Sequence, residues 1–179
     1  LSKYEVYEDL FPSREDGVNA WISISRGCDK FCTFCIVPFT RGRERNRSME
    51  SITKEVEDAI RKGFVEITLL GQNVNSYRTK QGQFPDLLDH LSSIPGIKRI
   101  RYTSPHPKDI NDRLLETMCN NKNICNYVHL PLQAGSDRIL MRMNRTYTQG
   151  EFLNLVSMTR KYLPDCVIST DIIAVMTAF

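Results

Sequence analysis

Strand-like and helix-like segments alternate along almost the whole chain, and this alternation restricts the possible folds more than any other feature. Segments rich in β-branched and aromatic residues recur roughly every 30 to 44 residues, at residues 19–25, 64–70, 97–103, 126–130 and about 166–173. Helical periodicity fills the intervals between them. Because a helix between consecutive strands forms a crossover connection, the pattern predicts an α/β fold with five parallel strands.

The length of the chain limits how such a sheet can close. The 179 residues are fewer than the ~250 residues of a complete eight-unit (β/α) barrel. An incomplete (β/α) barrel and an open doubly wound sheet are both compatible with the pattern. Residues 1–18 are polar and irregular, so we expect a linker there and one core domain over residues 19–179.

Local signals mark the starts of three predicted helices. Ser48 precedes a helical pattern that stops just before Gly63, and Asn111 precedes another. Thr148 and Glu151 have the spacing of a capping box. We expect each of these side chains to satisfy backbone groups at a helix start.

The composition is that of an ordinary globular domain, with 41% hydrophobic residues and a net charge of +3. The longest uninterrupted apolar run, residues 172–176, is far shorter than the ~20 residues of a membrane-spanning helix. The chain begins without a secretory signal pattern. We therefore expect a soluble, cytoplasmic protein without a membrane partner. The small net charge excludes a molecule whose whole surface attracts nucleic acid, and the composition defines no oligomeric state.

Three of the six cysteines, Cys28, Cys32 and Cys35, lie within eight residues in the spacing C-x3-C-x2-C. Disulfide frameworks are typical of small secreted domains, so metal or cluster ligation is the better interpretation of this triplet. Structural zinc prefers four ligands, and no fourth cysteine or histidine lies nearby in the sequence. A cubane iron–sulfur cluster can be held by three cysteines, which leaves one iron open for a cofactor. Zinc remains an alternative.

The segments that follow the predicted strands are small, polar or able to bind metal. Ligands of parallel α/β folds bind at the carboxyl ends of the strands, so these segments are expected to share one rim. In strand order they are the cysteine triplet, residues 71–75, residues 104–107, residues 131–137 and residues 169–171.

The triplet, with Phe34 directly before its third cysteine, resembles the signature of the radical S-adenosylmethionine superfamily. Residues 25–28 and 38–42 resemble the methylthiotransferases of that superfamily. Three further segments resemble the tRNA branch of these enzymes, the MiaB type: residues 69–75, 101–107 and 129–137. The resemblance extends from about residue 19 to residue 173. It implies a six-unit partial (β/α) barrel, of which this chain contains about five strands.

The resemblance also implies an activity, which is the addition of a methylthio group to C2 of N6-isopentenyladenosine next to the tRNA anticodon. The implied cofactors are a [4Fe–4S] cluster held by Cys28, Cys32 and Cys35 and a molecule of S-adenosylmethionine. The residues implied for binding S-adenosylmethionine are Phe34, Gly71, Gln72, Asn73, Gln133, Ser136 and Arg145. tRNA is the implied substrate, and a flavodoxin-type protein is the implied electron donor.

Arginines alternate at positions 41, 43, 45 and 47, directly after the triplet. Such a run is typical of a solvated loop and, equally, of a surface that contacts RNA phosphates. We take Arg41 and Arg43 as candidates for substrate contact, together with Ser104 and His106 after the third strand.

Two alternative functions stay open at this point: a methylthiotransferase that modifies an aspartate of a ribosomal protein, and a non-catalytic zinc-binding RNA module. Full-length methylthiotransferases carry an amino-terminal domain with three further cysteines and a carboxy-terminal RNA-binding domain. Neither pattern occurs in this sequence, so we expect that the chain alone does not complete methylthiolation. Cys119, Cys125 and Cys166 are expected to take no part in the site, with Cys166 buried beside a strand.

Overall fold

The computed structural model describes residues 12–174. Across these residues, five parallel strands (β1 to β5) are Asn19–Ser23, Glu66–Leu70, Arg99–Tyr102, Tyr127–His129 and Val167–Ser169. Six helices (α1 to α6) are Val37–Arg41, Met49–Arg61, Phe84–Ser92, Asp112–Asn120, Asp137–Arg142 and Gln149–Tyr162. Two short antiparallel pairs join Ser25–Arg26 to Arg45–Asn46 and Arg78–Thr79 to Gly82–Gln83. Single 3-10 turns lie at Val74–Ser76 and Pro107–Asp109.

The strands run parallel, as the sequence predicts, and helices fill every crossover. β1 pairs with β2 and β2 pairs with β3, so that Ile22 lies opposite Leu69 and Leu69 opposite Tyr102. β4 pairs with β5 in the same parallel sense. The predicted α/β class with five strands is therefore confirmed.

The hydrogen-bonded ladder of parallel strands is interrupted between β3 and β4, so the five strands do not form one continuous sheet. A single bridge joins Ile100 of β3 to Ile124, which lies before β4. The Ile100 amide donates to the Asn123 carbonyl at 2.7 Å, and the Cys125 amide donates to the Ile100 carbonyl at 2.9 Å. Among the described residues, this bridge is the pairing that connects β3 to the segment before β4.

The predicted helix caps are confirmed. The Ser48 hydroxyl accepts the Ser51 amide at the start of α2, and the Asn111 side chain accepts the Leu114 amide at the start of α4. At α6, Thr148 and Glu151 form the complete reciprocal capping box.

The hydrophobic core lies between the strands and the helices on one face of the sheet. Ile22 of β1 is completely buried together with Ile52 and Val56 of α2. Trp21, the neighbour of Ile22 on the other face, is 56% exposed because consecutive strand residues point in opposite directions. No helix in residues 12–174 is long and apolar enough to cross a membrane.

Arg47 corrects the interpretation of the arginine run. Its side chain is buried, and its guanidinium pairs with Glu55 of α2 at 2.6 Å and donates to the Ser23 carbonyl at 2.7 Å. Glu55 also pairs with Arg14, which lies in the predicted linker. Arg47 is therefore part of the core and does not belong to a solvated loop. Residues 1–11 of that linker and residues 175–179 lie outside the described residues.

Candidate functional site

A cleft of about 230 Å³ opens at the carboxyl ends of the strands and contains the cysteine triplet. Its lining residues are Cys28, Lys30, Cys32, Phe34, Cys35, Gln72, Asn73, Ser104, Pro105, His106, His129, Pro131, Gln133, Arg145 and Asp171. Segments that follow β1 and β5, the first and last strands, line the same cleft. The strands therefore curve around it, as in an incomplete barrel, and this excludes the open doubly wound sheet.

The three thiols of the cysteine loop (residues 27–35) all line the cleft. Cys28 is buried, whereas Cys32 and Cys35 are partly exposed. Burial raises the pKa of Cys28, and the nearby thiols of Cys32 and Cys35 raise it further, although a backbone hydrogen bond at Lys30 opposes this effect. Cationic iron would stabilise the thiolate forms that this arrangement disfavours in the free protein.

The donor set fits an iron–sulfur cluster better than a single zinc ion. Structural zinc is held by four ligands, with thiolate sulfurs about 2.3 Å from the metal. The three soft sulfur donors instead line a cleft with room for a larger group, and soft donors without a fourth protein ligand suit a cluster with one open iron.

Close backbone packing fixes the start of the cysteine loop. Gly27 has φ +79°, and a Cβ added there would lie 2.2 Å from the Arg43 carbonyl oxygen. The Gly27 amide donates to Gln72 Oε1 at 2.6 Å, so the loop after β2 supports the loop after β1. Gly71 is outside the cleft lining, and its lack of a side chain permits close approach to Ser25 Oγ, which would lie 2.3 Å from an added Cβ.

A polar network joins the loops after β1, β2 and β3. Lys30 Nζ pairs with Asp109 at 2.7 Å, and Asn73 Nδ2 donates to the same carboxylate at 2.8 Å. The His106 amide donates to Asn75 Oδ1 at 2.8 Å and to Asn73 Oδ1 at 3.2 Å. Both ends of the Asn73 amide group are therefore used to hold neighbouring loops.

His106 is buried in this network, with its ring facing the cleft. Burial lowers the pKa of His106 to about 3, and the positive charges of Arg145 and Lys30 act in the same direction. The Lys108 amide donates to its Nδ1 atom at 3.2 Å. His106 is therefore neutral near pH 7.

Arg145 is buried although arginine is usually a surface residue. Its Nη1 atom donates to Cys32 Sγ at 3.3 Å, and its Nη2 atom donates to the Pro131 carbonyl at 3.0 Å. Its Nε atom donates to the Tyr147 hydroxyl at 2.9 Å. The guanidinium thus places a fixed positive charge beside one thiol of the triplet.

The other predicted cofactor residues are divided between the cleft and its surroundings. Phe34 and Gln133 line the cleft, and Gln133 has φ +71° where its amide donates to the Asp171 carbonyl. Ser136 is exposed at the start of α5 and is not among the lining residues.

The substrate candidates are divided in the same way. Ser104 and His106 line the cleft. Arg41 and Arg43 are exposed and lie outside the lining. Arg43 pairs with Asp29 at 2.7 Å, and its guanidinium is 5.5 Å from the centre of the Phe31 ring.

Lys30 and His129 line the cleft although neither was selected from the sequence, and Asp171, from the expected rim segment 169–171, lines it as well. His129 Nε2 is 3.2 Å from Asp171 Oδ2, and its Nδ1 atom is 2.8 Å from Ser169 Oγ. Their position at strand ends was the available signal. Cys166 is buried as expected, and Cys119 and Cys125 line a separate cavity away from the triplet.

The family model of the radical SAM superfamily matches residues 22–178, and the chain therefore belongs to that superfamily. Over 178 residues it is 51% identical to a tRNA-2-methylthio-N(6)-dimethylallyladenosine synthase of Porphyromonas gingivalis, covering 96% of this chain and 38% of the relative. A synthase of the same name from Acetivibrio thermocellus is 49% identical over 172 residues, with 94% and 36% covered. These relatives confirm the resemblance to the tRNA branch. The chain spans less than two fifths of their length.

Solved structures support the fold at low sequence identity. The cobalamin-dependent radical enzyme OxsB, with aqua-cobalamin and S-adenosylmethionine bound, has a TM-score of 0.69 at 15% identity, covering 88% of this chain and 24% of that chain. The methyltransferase TsrM of Kitasatospora setae has a TM-score of 0.63 at 17% identity, covering 85% and 30%. Together with the curved strands, these likenesses confirm a partial barrel.

Proposed function

We propose that this chain is the radical-forming core of a tRNA methylthiotransferase, which adds a methylthio group to C2 of N6-isopentenyladenosine beside the anticodon. The observation that carries the proposal is the convergence of Cys28, Cys32 and Cys35 on one cleft at the carboxyl ends of the strands. The names and the identity of about 50% of the curated relatives support the choice of reaction.

The three cysteines would hold a [4Fe–4S] cluster, which when bound supplies the electron that cleaves S-adenosylmethionine to methionine and a 5′-deoxyadenosyl radical. Arg145 places a positive charge beside Cys32, in the part of the cleft where a carboxylate would be stabilised. Phe34 offers an aromatic face to the adenine side of S-adenosylmethionine.

Gln72 and Gln133 are the polar cleft residues that we assign to the rest of S-adenosylmethionine, and Asn73, whose amide group holds the neighbouring loops, is assigned to positioning them. Gly71 and Ser136 are assigned supporting positions, since both lie outside the lining. Gly71 allows the loop after β2 to approach Ser25, and Ser136 begins α5.

The substrate would enter where Ser104 and His106 line the cleft. The exposed guanidinium groups of Arg41 and Arg43 would contact tRNA phosphates, since phosphate contacts orient nucleic acids without reading their sequence. A flavodoxin-type protein would supply electrons, and the cytoplasm, where tRNA is processed, would be the setting.

Two measurements test this proposal. After anaerobic reconstitution, the chain should convert S-adenosylmethionine to 5′-deoxyadenosine in the presence of dithionite, and Cys32→Ala should abolish this. A chimeric Porphyromonas gingivalis synthase that carries this chain in place of its matching segment should then methylthiolate tRNA. Methylthiolation of a ribosomal-protein aspartate in place of tRNA would overturn the substrate assignment.

A further inference from the structure

The turn that ends α5 holds the middle of the cysteine loop. The α5 turn (residues 142–145) provides two carbonyl oxygens to Thr33, whose amide donates to the Met143 oxygen and whose hydroxyl donates to the Arg142 oxygen, both at 3.1 Å. Asn144 Nδ2 donates to the Phe31 carbonyl at 2.9 Å. The fourth strand unit therefore closes onto the loop of the first.

These contacts satisfy groups that a helix end leaves unpaired. The last carbonyls of an α-helix have no partner within the helix. Thr33 supplies donors to two of them, so the loop and the end of α5 stabilise each other. The position of the loop is thus coupled to the position of α5.

Two residues at this contact have left-handed backbone conformations. Phe31 has φ +48° and Asn144 has φ +54°. Asparagine tolerates this region, whereas a bulky residue such as phenylalanine is strongly disfavoured there. The Phe31 conformation therefore requires support from its surroundings, and such outliers cluster at functional sites.

The Phe31 carbonyl belongs to the peptide group that also contains the Cys32 amide. Because a peptide group is planar, a hydrogen bond to this oxygen fixes the plane from which the Cys32 side chain projects. Cys32 lines the cleft, and Cys35 is linked to it by a hydrogen bond from its amide to the Cys32 carbonyl at 3.0 Å.

We propose that Asn144 is a positioning residue that holds the Phe31–Cys32 peptide group, and with it the cysteine loop, in the conformation that directs the thiols into the cleft. This inference rests on the proposed function insofar as the thiols hold a cluster. Asn144 acts through the backbone of Phe31 and is outside the cleft lining.

The test compares two variants that keep the left-handed backbone of Asn144 accessible. Asn144→Gly removes the amide donor, and the nearly isosteric Asn144→Asp replaces it with an acceptor that repels the Phe31 oxygen. Asn121→Gly is the matched control, because Asn121 follows α4 and its side chain bonds to Asp89 away from the cleft. All variants are made in the full chain and checked by thermal melting.

The first readout is the rate at which a chelator removes iron from the anaerobically reconstituted chain. The loss of one net hydrogen bond predicts release roughly 3- to 10-fold faster in Asn144→Gly and Asn144→Asp, with no change in Asn121→Gly. Adding Phe31→Asn to Asn144→Gly should slow the release again, because asparagine tolerates the left-handed conformation. If Asn144→Gly does not fold, the rate of iron release from Asn144→Asp tests the inference.

The second readout needs no cluster. Hydrogen exchange of the Thr33 amide in the metal-free chain should be faster in Asn144→Gly than in Asn121→Gly. Equal exchange together with equal iron release in both would overturn the inference. If the unmodified chain binds no cluster, the proposed function is overturned. Faster exchange in Asn144→Gly than in Asn121→Gly would in that case still support the positioning role of Asn144.

Discussion

At the residue scale, a buried charge cluster joins β1, α2 and the segment before them. The Glu55 carboxylate forms ion pairs with both Arg14 and Arg47, and the Arg47 side chain is only 5% exposed. Arg14 still compensates Glu55 when Arg47 is removed, but the buried Ser23 carbonyl and Ser51 Oγ lose their donor. We expect Arg47→Ala to lower the free energy of unfolding by about 2 to 4 kcal/mol in urea titrations, because buried acceptors left without a partner are costly. Arg61→Ala, which removes an exposed side chain from the same helix, should leave it nearly unchanged.

His106 makes stability depend on pH. Its pKa of about 3 lies below the ordinary value of 6.5, so the unfolded chain binds a proton that the folded chain excludes. The resulting stabilisation is complete above pH 6.5 and is lost as the pH falls towards 3. Between pH 7.5 and pH 5, the unmodified chain should lose about 2 kcal/mol more than His106→Asn, measured by urea unfolding. Parallel pH profiles would contradict the assignment.

Single residues also show which parts of the site could be predicted from the sequence and which could not. The cysteine triplet was predictable because its three ligands lie in one short segment. Arg47 was indistinguishable from Arg41 and Arg43, since its burial depends on Glu55 in α2 and on Ser23 in β1. The burial of Arg145 likewise has no local signal, because its partners Cys32 and Pro131 are distant in the sequence.

At the element scale, the cysteine loop depends on Gly27. Gly27→Ala forces a Cβ against the Arg43 oxygen in addition to the left-handed φ. Gly63→Ala is the matched control, because Gly63 has φ +90° and an added Cβ there meets nothing within 4 Å. We expect a loss of about 1 kcal/mol for Gly63→Ala and about 2 to 4 kcal/mol for Gly27→Ala in urea unfolding. Equal losses would show that the clash at Gly27 is relieved.

Helix starts were the most predictable elements. Ser48, Asn111 and Thr148 act on amides within three residues, so their signals are local. The interruption of the sheet between β3 and β4 was not predictable. It depends on how Ile100 meets Ile124 after an intervening helix, which local propensity does not specify.

At the scale of the whole molecule, the proposed contacts of Arg41 and Arg43 with tRNA phosphates predict an affinity that depends on salt. Arg41→Ala with Arg43→Ala should weaken binding of a tRNA anticodon stem-loop. The slope of log affinity against log salt should fall by about 1 for each lost phosphate contact. Arg61→Ala with Arg160→Ala removes the same charge from the exposed surfaces of α2 and α6 and is the control. An equal effect of both pairs would indicate attraction by net charge alone.

The barrel itself was only half predictable. The alternation of strands and helices fixed the parallel strands, but a curved and an open sheet have the same local pattern. The choice became evident only where Cys28 after β1 and Asp171 after β5 were found in one cleft. Residues such as Lys30 and Asp109, which join separate loops across that cleft, likewise have no local signal.

Cys28, Cys32 and Cys35 are proposed to hold an iron–sulfur cluster, and anaerobic reconstitution followed by iron, sulfide and zinc analysis measures what they bind. We expect about four iron and about four sulfide ions per chain, with binding lost in Cys28→Ala, Cys32→Ala and Cys35→Ala and retained in Cys166→Ala. About one zinc per chain without sulfide would contradict it.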